Sequence, residues 1–126
     1  MVILADVSWL DGIPWNSLNK QDDWTVKPIF DCSKKFDKVK AELEKAVSDH
    51  NSGSQQMFIN FASGISSGAY PNAVANRVNP KPYKFLNENK CPSTCYYGIV
   101  AMDFRGKYDK GVTGVLIKQN KRKPGC

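Results

Sequence analysis

Short apolar runs alternate with helical segments along this chain, and this alternation constrains its fold more than any other feature. The runs are bounded by glycine, proline and small polar residues, which interrupt strands. Four runs predict strands: "MVILADV" (1–7), "DDWTVKPIF" (22–30), "MFINFAS" (57–63) and "YYGIVAMDF" (96–104). The segment "SWLDGIPW" (8–15) is predicted to be a long loop between the first two strands.

Helical spacing marks the segments that follow the second, third and fourth strands. Apolar residues recur at steps of three and four from Phe36 to Val47, so this segment predicts an amphipathic helix with Ser33 as its N-cap. Further helices are predicted over 71–79 and 109–121, with another turn or two at 83–90. Strands that alternate with helices and are buried on both faces predict a parallel α/β sheet. Four such strands form either a small open sheet or half of an eight-stranded barrel.

The size and net charge of the chain exclude few classes of function. The 126 residues predict one domain over 1–126, and no run is long enough to cross a membrane. The net charge of +6 favours polyanionic partners, either nucleic acid or an anionic membrane surface. Much of that charge lies in "KQNKRK" (118–123), which is typical of a solvated chain end. Because the basic residues are not interleaved with aromatics in a recognisable motif, nucleic-acid binding is the least favoured function.

The cysteines and the single histidine limit the metal and redox chemistry. Cys32, Cys91, Cys95 and Cys126 are compatible with disulfides whose pairing is undetermined. The spacing in "CPSTC" is neither the C-x-x-C of redox proteins nor part of a four-ligand zinc pattern. We therefore predict no metal and no other cofactor. An even number of cysteines in a basic chain favours an oxidising, secreted context.

Polar residues follow the predicted strands, and parallel architectures place functional groups at the carboxyl ends of strands. The candidates are Asp6, Asp22 with Trp24, Asn60 with Ser63, and Asp103 with Arg105. Each has a structural alternative, such as a core amide for Asn60 or an ion pair for Asp103. Period-two alternation puts Asn60 on one face with Phe58, and Asp103 on one face with Ile99. If these are the inner faces of a barrel, the side chains of Asn60 and Asp103 both point into the opening at the carboxyl ends of its strands.

His50 is not expected to be catalytic. It lies in a polar turn after the first helix, on the side of the sheet opposite the strand carboxyl ends. Nucleophilic devices of the Ser-His-Asp or Cys-His type need a positioned imidazole. The segment "SGISSG" (63–68) is only a loose match to a phosphate-binding loop, and a flexible loop is the favoured interpretation.

Three segments together resemble one family. "NKQDDWTV" (19–26), "MFINFASGISSGAYPNAVANRVNP" (57–80) and "YYGIVAMDF" (96–104) are similar, in order and spacing, to the carboxyl-terminal half of the phosphatidylinositol-specific phospholipase C of bacteria and fungi. The most specific pieces are the Gln-Asp-x-aromatic run, the Ile-Asn-Phe-x-Ser strand and the aspartate that closes the last strand. The resemblance covers most of residues 1–104.

The resemblance implies an irregular (β/α)8 barrel that cleaves phosphatidylinositol, or a glycosyl derivative of it, without a metal. In that family two histidines act as general base and general acid, and the products are an inositol cyclic phosphate and diacylglycerol. By position, Asp103 matches the aspartate that orients the general-base histidine. Asp22 matches a residue that binds inositol hydroxyls, and Trp24 replaces an aromatic that stacks on the sugar ring. Asn60 and the rim aromatic Tyr70 are further substrate-binding candidates.

The same resemblance implies that the site is incomplete. The family's catalytic histidines and its phosphate-binding arginine lie in the amino-terminal half, so a companion chain carrying that half, or a second copy, is expected to close the barrel. Four strands alone would leave open edges and an exposed apolar face. We expect the isolated chain to be inactive. The alternative is a non-catalytic module or toxin that binds inositol, a sugar or an anionic surface through Asp22, Trp24 and the basic end.

Overall fold

The computed structural model describes most of the chain as a set of short strands and helices. The described residues are 4–5, 12–23, 32–54, 56–65, 70–89, 95–108 and 111–120. Their strands are β1 (Leu4–Ala5), β2 (Ile13–Pro14), β3 (Asn19–Gln21), β4 (Phe58–Phe61) and β5 (Ile99–Ala101). Their helices are α1 (Cys32–Asn51), α2 (Pro71–Val78), α3 (Pro80–Glu88), α4 (Arg105–Tyr108) and α5 (Val112–Asn120), with a 3-10 helix at Trp15–Ser17.

The strands pair in parallel, which confirms the predicted α/β class. β1 pairs with β2, and the second sheet has the order β3, β4, β5. β4 lies in the centre, where Gln21 is opposite Asn60 and Phe61 is opposite Ala101. Since β3 and β4 are joined through α1, and β4 and β5 through α2 and α3, the described residues form a parallel, helix-connected sheet of the kind found in part of a (β/α) barrel.

The amino-terminal region differs from the sequence prediction. The segment predicted as one long loop (8–15) contains β2 and the first residue of the 3-10 helix, because Pro14 does not prevent a short strand but forms its last residue. β3 lies just before the predicted second strand rather than within it. Residues 24–31, which carry most of that predicted strand, lie outside the described residues.

The helices follow the predicted pattern with shifted ends. α1 begins at Cys32, so Ser33 lies inside its first turn and is not the N-cap. α2 begins at Pro71 as predicted. α3 already begins at Pro80, because proline fits the first turn of a helix, where its missing N–H is not needed.

The two faces of the larger sheet have different environments. Phe58, Asn60 and Ala62 are buried on the side that α1 covers. The opposite side, which we call the far face, carries Lys20, Ile59, Phe61, Ile99 and Ala101, as the register shows. Ile59 is buried there, whereas Ile99 on β5 is 51% exposed. The prediction that the last strand is buried on both faces is therefore wrong, because β5 lies at the end of the described strand order.

The main core lies between the helices and the α1 side of the sheet. It contains Val39 and Leu43 of α1, Val74 and Val78 of α2, and Leu86 of α3. Cys32 is buried in it as a free thiol, and Cys95 is disulfide-bonded. Among the described helices, none is long and apolar enough to cross a bilayer.

Candidate functional site

The carboxyl ends of β3, β4 and β5 meet at one edge of the sheet. The register holds Gln21 beside Asn60, and Phe61 beside Ala101. The Ala62 N–H donates to the Ala101 carbonyl at 2.8 Å, which keeps β4 and β5 together to their last residues. Asp22 follows Gln21 directly, and Asp103 follows two residues after Ala101. The structure thus brings these two carboxylates to the same edge.

Asp103 lies half-buried in the turn after β5 and is held through its backbone. The side-chain Nδ2 of Asn79, which is fully buried between α2 and α3, donates to the Asp103 carbonyl at 2.9 Å. The next residue, Phe104, has a φ of 52°, so the chain turns sharply there. Among the described residues, including Arg105, no hydrogen bond or ion pair of the Asp103 carboxylate is present. The carboxylate therefore does not form the ion pair with Arg105, which was one of its structural alternatives; the other, Lys107, has a side chain outside the described part of the structure.

Asn60 lies on the face of the sheet opposite to Ile99 and Ala101, so it does not point into an opening on the far face, which corrects the prediction made for Asn60. The register places Asn60 beside Val100, and Val100 and Met102 pack toward the core under the helices. Its Nδ2 donates to the Val39 carbonyl at 2.7 Å, and its Oδ1 accepts from Gln21 Nε2 at 3.1 Å. With 1% of its surface exposed, Asn60 offers no free polar atom to a ligand. It is a core amide that ties α1, β3 and β4 together.

Asp22 is exposed at the end of β3, in a segment held by a buried lysine that sequence reasoning missed. Lys35 of α1 is 3% exposed, and its Nζ donates to Gln21 Oε1 at 3.2 Å and to the Asp23 carbonyl. The Asp23 carboxylate pairs with the exposed Lys38. Lys35 lies on the same helical stripe as Cys32, Val39 and Leu43, and this position is the sequence signal from which its burial can be predicted.

Burial lowers the pKa of Lys35 to about 8, because desolvation penalises the charged ammonium. The nearby Asp23 and Asp22 partly offset this effect, and Lys38 adds to it. The folded protein therefore holds this proton less tightly than the unfolded chain, whose lysine titrates near pH 10.5. Between these two values the unfolded state binds more protons, so the free energy of unfolding rises with pH.

We therefore expect the unfolding free energy of the wild type to rise relative to that of Lys35→Met above pH 8. The expected gain is on the order of 1 kcal/mol per pH unit. Urea denaturation of both proteins from pH 7 to pH 10 measures it, and the other titrating groups cancel in the difference. Parallel curves over this range would show that Lys35 is charged at the same pH in both states.

The two aromatic candidates for substrate binding have different outcomes. Trp24 lies outside the described residues. Tyr70 stands directly before α2 with 81% of its surface exposed, so its ring is available to a ligand or a surface. Trp15 instead packs edge-on against Phe61 at 6.3 Å between ring centroids, with Lys20 Nζ 5.3 Å from its ring centre. It is a packed anchor on the far face.

His50 lies at the other edge of the sheet. It lines a cleft of about 590 Å³ together with Phe58 and Ile99, the first residues of β4 and β5. Its ring packs on Tyr96 at 4.2 Å between centroids. This position agrees with the expectation that His50 is separated from the carboxyl-end carboxylates. Among the described residues, no group of three or more His, Cys, Asp or Glu side chains could hold a metal ion.

Comparison with known proteins yields structural matches only. The sequence matches no protein-family model and no curated protein. A histidine-to-tyrosine mutant of the phosphatidylinositol-specific phospholipase C from Staphylococcus aureus superposes with a TM-score of 0.67 and 26% identity over 93% of this chain and 40% of the enzyme. A form of that enzyme with incorporated pentafluoro-Phe gives 0.64 and 28% over 83% and 34%.

The fold resembles that of phosphatidylinositol-specific phospholipase C. The parallel sheet with its connecting helices corresponds to part of this fold, because the chain spans 34% to 40% of the length of the matched enzymes. The similarity predicted from the three sequence segments is thereby confirmed at the level of the fold. Which part of the enzyme the chain corresponds to, and what it does, remain proposals.

Proposed function

We propose that this chain is the carboxyl-terminal half of a phospholipase C-like phosphodiesterase acting on phosphatidylinositol or a related inositol lipid. The observation that supports this most is the presence of Asp22 and Asp103 at one edge of a parallel sheet whose fold resembles that of the phospholipase. The carboxyl edge is where parallel α/β enzymes place their chemistry.

Each carboxylate has a role that its environment permits. Asp22, exposed at the end of β3, accepts hydrogen bonds from inositol hydroxyls, and Trp24 stacks on the ring. Asp103 orients a histidine supplied by the other half and stabilises the imidazolium formed when that histidine takes a proton from the inositol hydroxyl. A carboxylate without an ion-pair partner among the described residues is free for that task. Tyr70 contributes an aromatic contact at the rim.

The missing half is proposed to dock along β5. Tyr96, Ile99 and Phe104, on β5 and its flanks, each expose close to half of their surface. Among the described strands β5 pairs only with β4, so within that part of the chain its other edge has no strand partner beside these apolar side chains. A companion chain that adds strands here would cover these side chains and bring its histidines to Asp103. A second copy of this chain is the other candidate.

The alternative function is a non-catalytic module that binds inositol, a sugar or an anionic surface. It is favoured by the position of His50, the chain's one histidine, at the opposite edge from the two carboxylates. No general base of the imidazole type can then come from this chain, whereas Asp22 and Tyr70 remain exposed for binding.

Asp22→Ala tests the recognition role that both functions share. We expect myo-inositol binding, measured by calorimetric titration, to weaken about tenfold to hundredfold, because hydrogen bonds to a carboxylate are lost. Asp37→Ala removes an exposed carboxylate from α1 and serves as the control, with no expected change. Equal affinity of the two variants, or no binding by the wild type, would contradict the proposal. Turnover of phosphatidylinositol by the native assembly separates the enzyme from the binding module.

A further inference from the structure

Lys35 holds both neighbours of Asp22 from the interior of the protein. Its Nζ donates to Gln21 Oε1 at 3.2 Å and to the Asp23 carbonyl. The Asp23 N–H donates back to the same Gln21 Oε1 at 2.9 Å. Asp22 is therefore the middle residue of a three-residue segment whose two flanking residues are joined through one ammonium group.

Gln21 connects this arrangement to the centre of the sheet. Its Nε2 donates to the Phe61 carbonyl at 2.9 Å and to Asn60 Oδ1 at 3.1 Å. Asn60 in turn donates to the backbone of α1 through the Val39 carbonyl. The end of β3 is thus fixed to both β4 and α1 by buried and partly buried hydrogen bonds. We call this set, made up of Lys35, Gln21 and Asn60, the buried clamp, because Lys35 and Asn60 are buried.

A lysine is a costly residue at this position if packing is its only task. Burying an ammonium group carries a desolvation penalty that an apolar side chain of similar length, such as methionine, avoids. The two acceptors of Lys35 are the side-chain oxygen of Gln21 and the backbone carbonyl of Asp23, and neither is a carboxylate. The Asp23 carboxylate is instead paired with Lys38 at the surface. What the lysine adds is donors that reach the backbone carbonyl of Asp23 and the side chain of Gln21 together.

We propose that Lys35 is a positioning residue, which through the buried clamp holds the turn at Asp22 so that the Asp22 carboxylate projects from the carboxyl edge toward an inositol ligand. This inference rests on the proposed function, because it assigns to the clamp the orientation of a ligand-binding carboxylate. Asp22 itself is exposed at the end of β3, and among the described residues its carboxylate accepts no hydrogen bond from the clamp, although it lies close enough to raise the pKa of Lys35.

Lys35→Met and Lys38→Met form a matched pair for the test. Both remove one positive charge from α1, and both lysines contact Asp23. Lys35 binds its buried carbonyl, whereas Lys38 binds its exposed carboxylate. We expect Lys35→Met to speed hydrogen exchange of the Asp23 amide, measured by NMR, and to weaken myo-inositol binding, each roughly tenfold. Lys38→Met is expected to change both by less than about twofold.

Two further measurements separate positioning from general stability. At pH 7, below the pKa of Lys35, the unfolding free energy of Lys35→Met is expected to stay equal or rise, because the burial of a charge is relieved. Lys35→Arg, which keeps the donors, is expected to restore most of the amide protection and affinity. If Lys35→Met does not fold, Lys35→Gln, with a shorter donor, takes its place.

The outcomes distinguish this inference from the proposed function. If the wild type does not bind myo-inositol, the proposed function fails, and the clamp is judged by Asp23 amide exchange alone. If the wild type binds but Lys35→Met and Lys38→Met have the same exchange rates and affinities, the proposed function stands and the positioning role is overturned.

Discussion

Replacing Asp103 by asparagine is expected to lower the phosphatidylinositol turnover of the native assembly about ten-thousandfold, the loss seen when the orienting aspartate of a catalytic histidine is replaced by asparagine. Asparagine keeps the size of the side chain but loses the charge that fixes the tautomer of the histidine and stabilises its protonated form. The backbone bond from Asn79 to residue 103 does not involve the carboxylate, so the turn should be kept. The kcat is the quantity to measure.

The control for this variant is Asp37→Asn, an equivalent change on the exposed side of α1. It is expected to leave kcat within about twofold, as surface substitutions remote from a site usually do. The unfolding free energy of Asp103→Asn should also stay close to the wild type, because no ion pair of this carboxylate is present among the described residues. A turnover loss no larger than that of Asp37→Asn would remove the catalytic role of Asp103.

Gly98→Ala is expected to lower the free energy of unfolding by about 3 kcal/mol, through backbone strain and overpacking together. Gly98 has a φ of 71°, and an added Cβ would lie 2.5 Å from the Phe58 carbonyl oxygen and 2.7 Å from the Phe58 Cβ. These atoms belong to the start of β4 and cannot move without shifting the strand. Because β5 begins at the next residue, the substitution would also displace the strand that leads to the turn at Asp103. Urea denaturation measures the effect.

Two other glycines separate the contributions. Gly53 has a φ of 82° with open space around it, so Gly53→Ala should cost only the backbone strain, about 1 kcal/mol. Gly106 lies in α4 with no atom near the added Cβ, so Gly106→Ala should be neutral or stabilising by up to about 1 kcal/mol. If Gly98→Ala costs no more than Gly53→Ala, then β5 does not depend on its close approach to Phe58.

The periodicity of the sequence was sufficient to predict the class of the fold. The stripe from Phe36 to Val47 corresponds to α1, and the apolar run at 57–63 contains β4, which is buried on both faces. These elements are governed by local alternation and by burial in the chain's own core, so their sequence carries the information. β5 was less predictable, since the exposure of Ile99 depends on the position of its strand in the sheet.

The candidate site was predictable only in part, because strand alternation shows which residues share a face but not where that face points. Period two correctly grouped Phe58, Asn60 and Ala62 on one face, but it cannot tell which face the helices cover. Only the register between β4 and β5 shows that Asn60 lies with Val100 on the α1 side. The burial of Lys35 was not predicted, because a buried lysine is rare. Its burial also depends on acceptors that are distant in sequence.

We propose that the carboxylates of this chain serve a site whose imidazoles come from other polypeptide. Isolating the native assembly without denaturant, and determining the mass and sequence of every polypeptide in it, tests this proposal. We expect a further segment, separate from this chain or continuous with it, that carries two histidines and is required for cleavage of phosphatidylinositol. A monomer of these 126 residues alone, with no associated polypeptide, would contradict it.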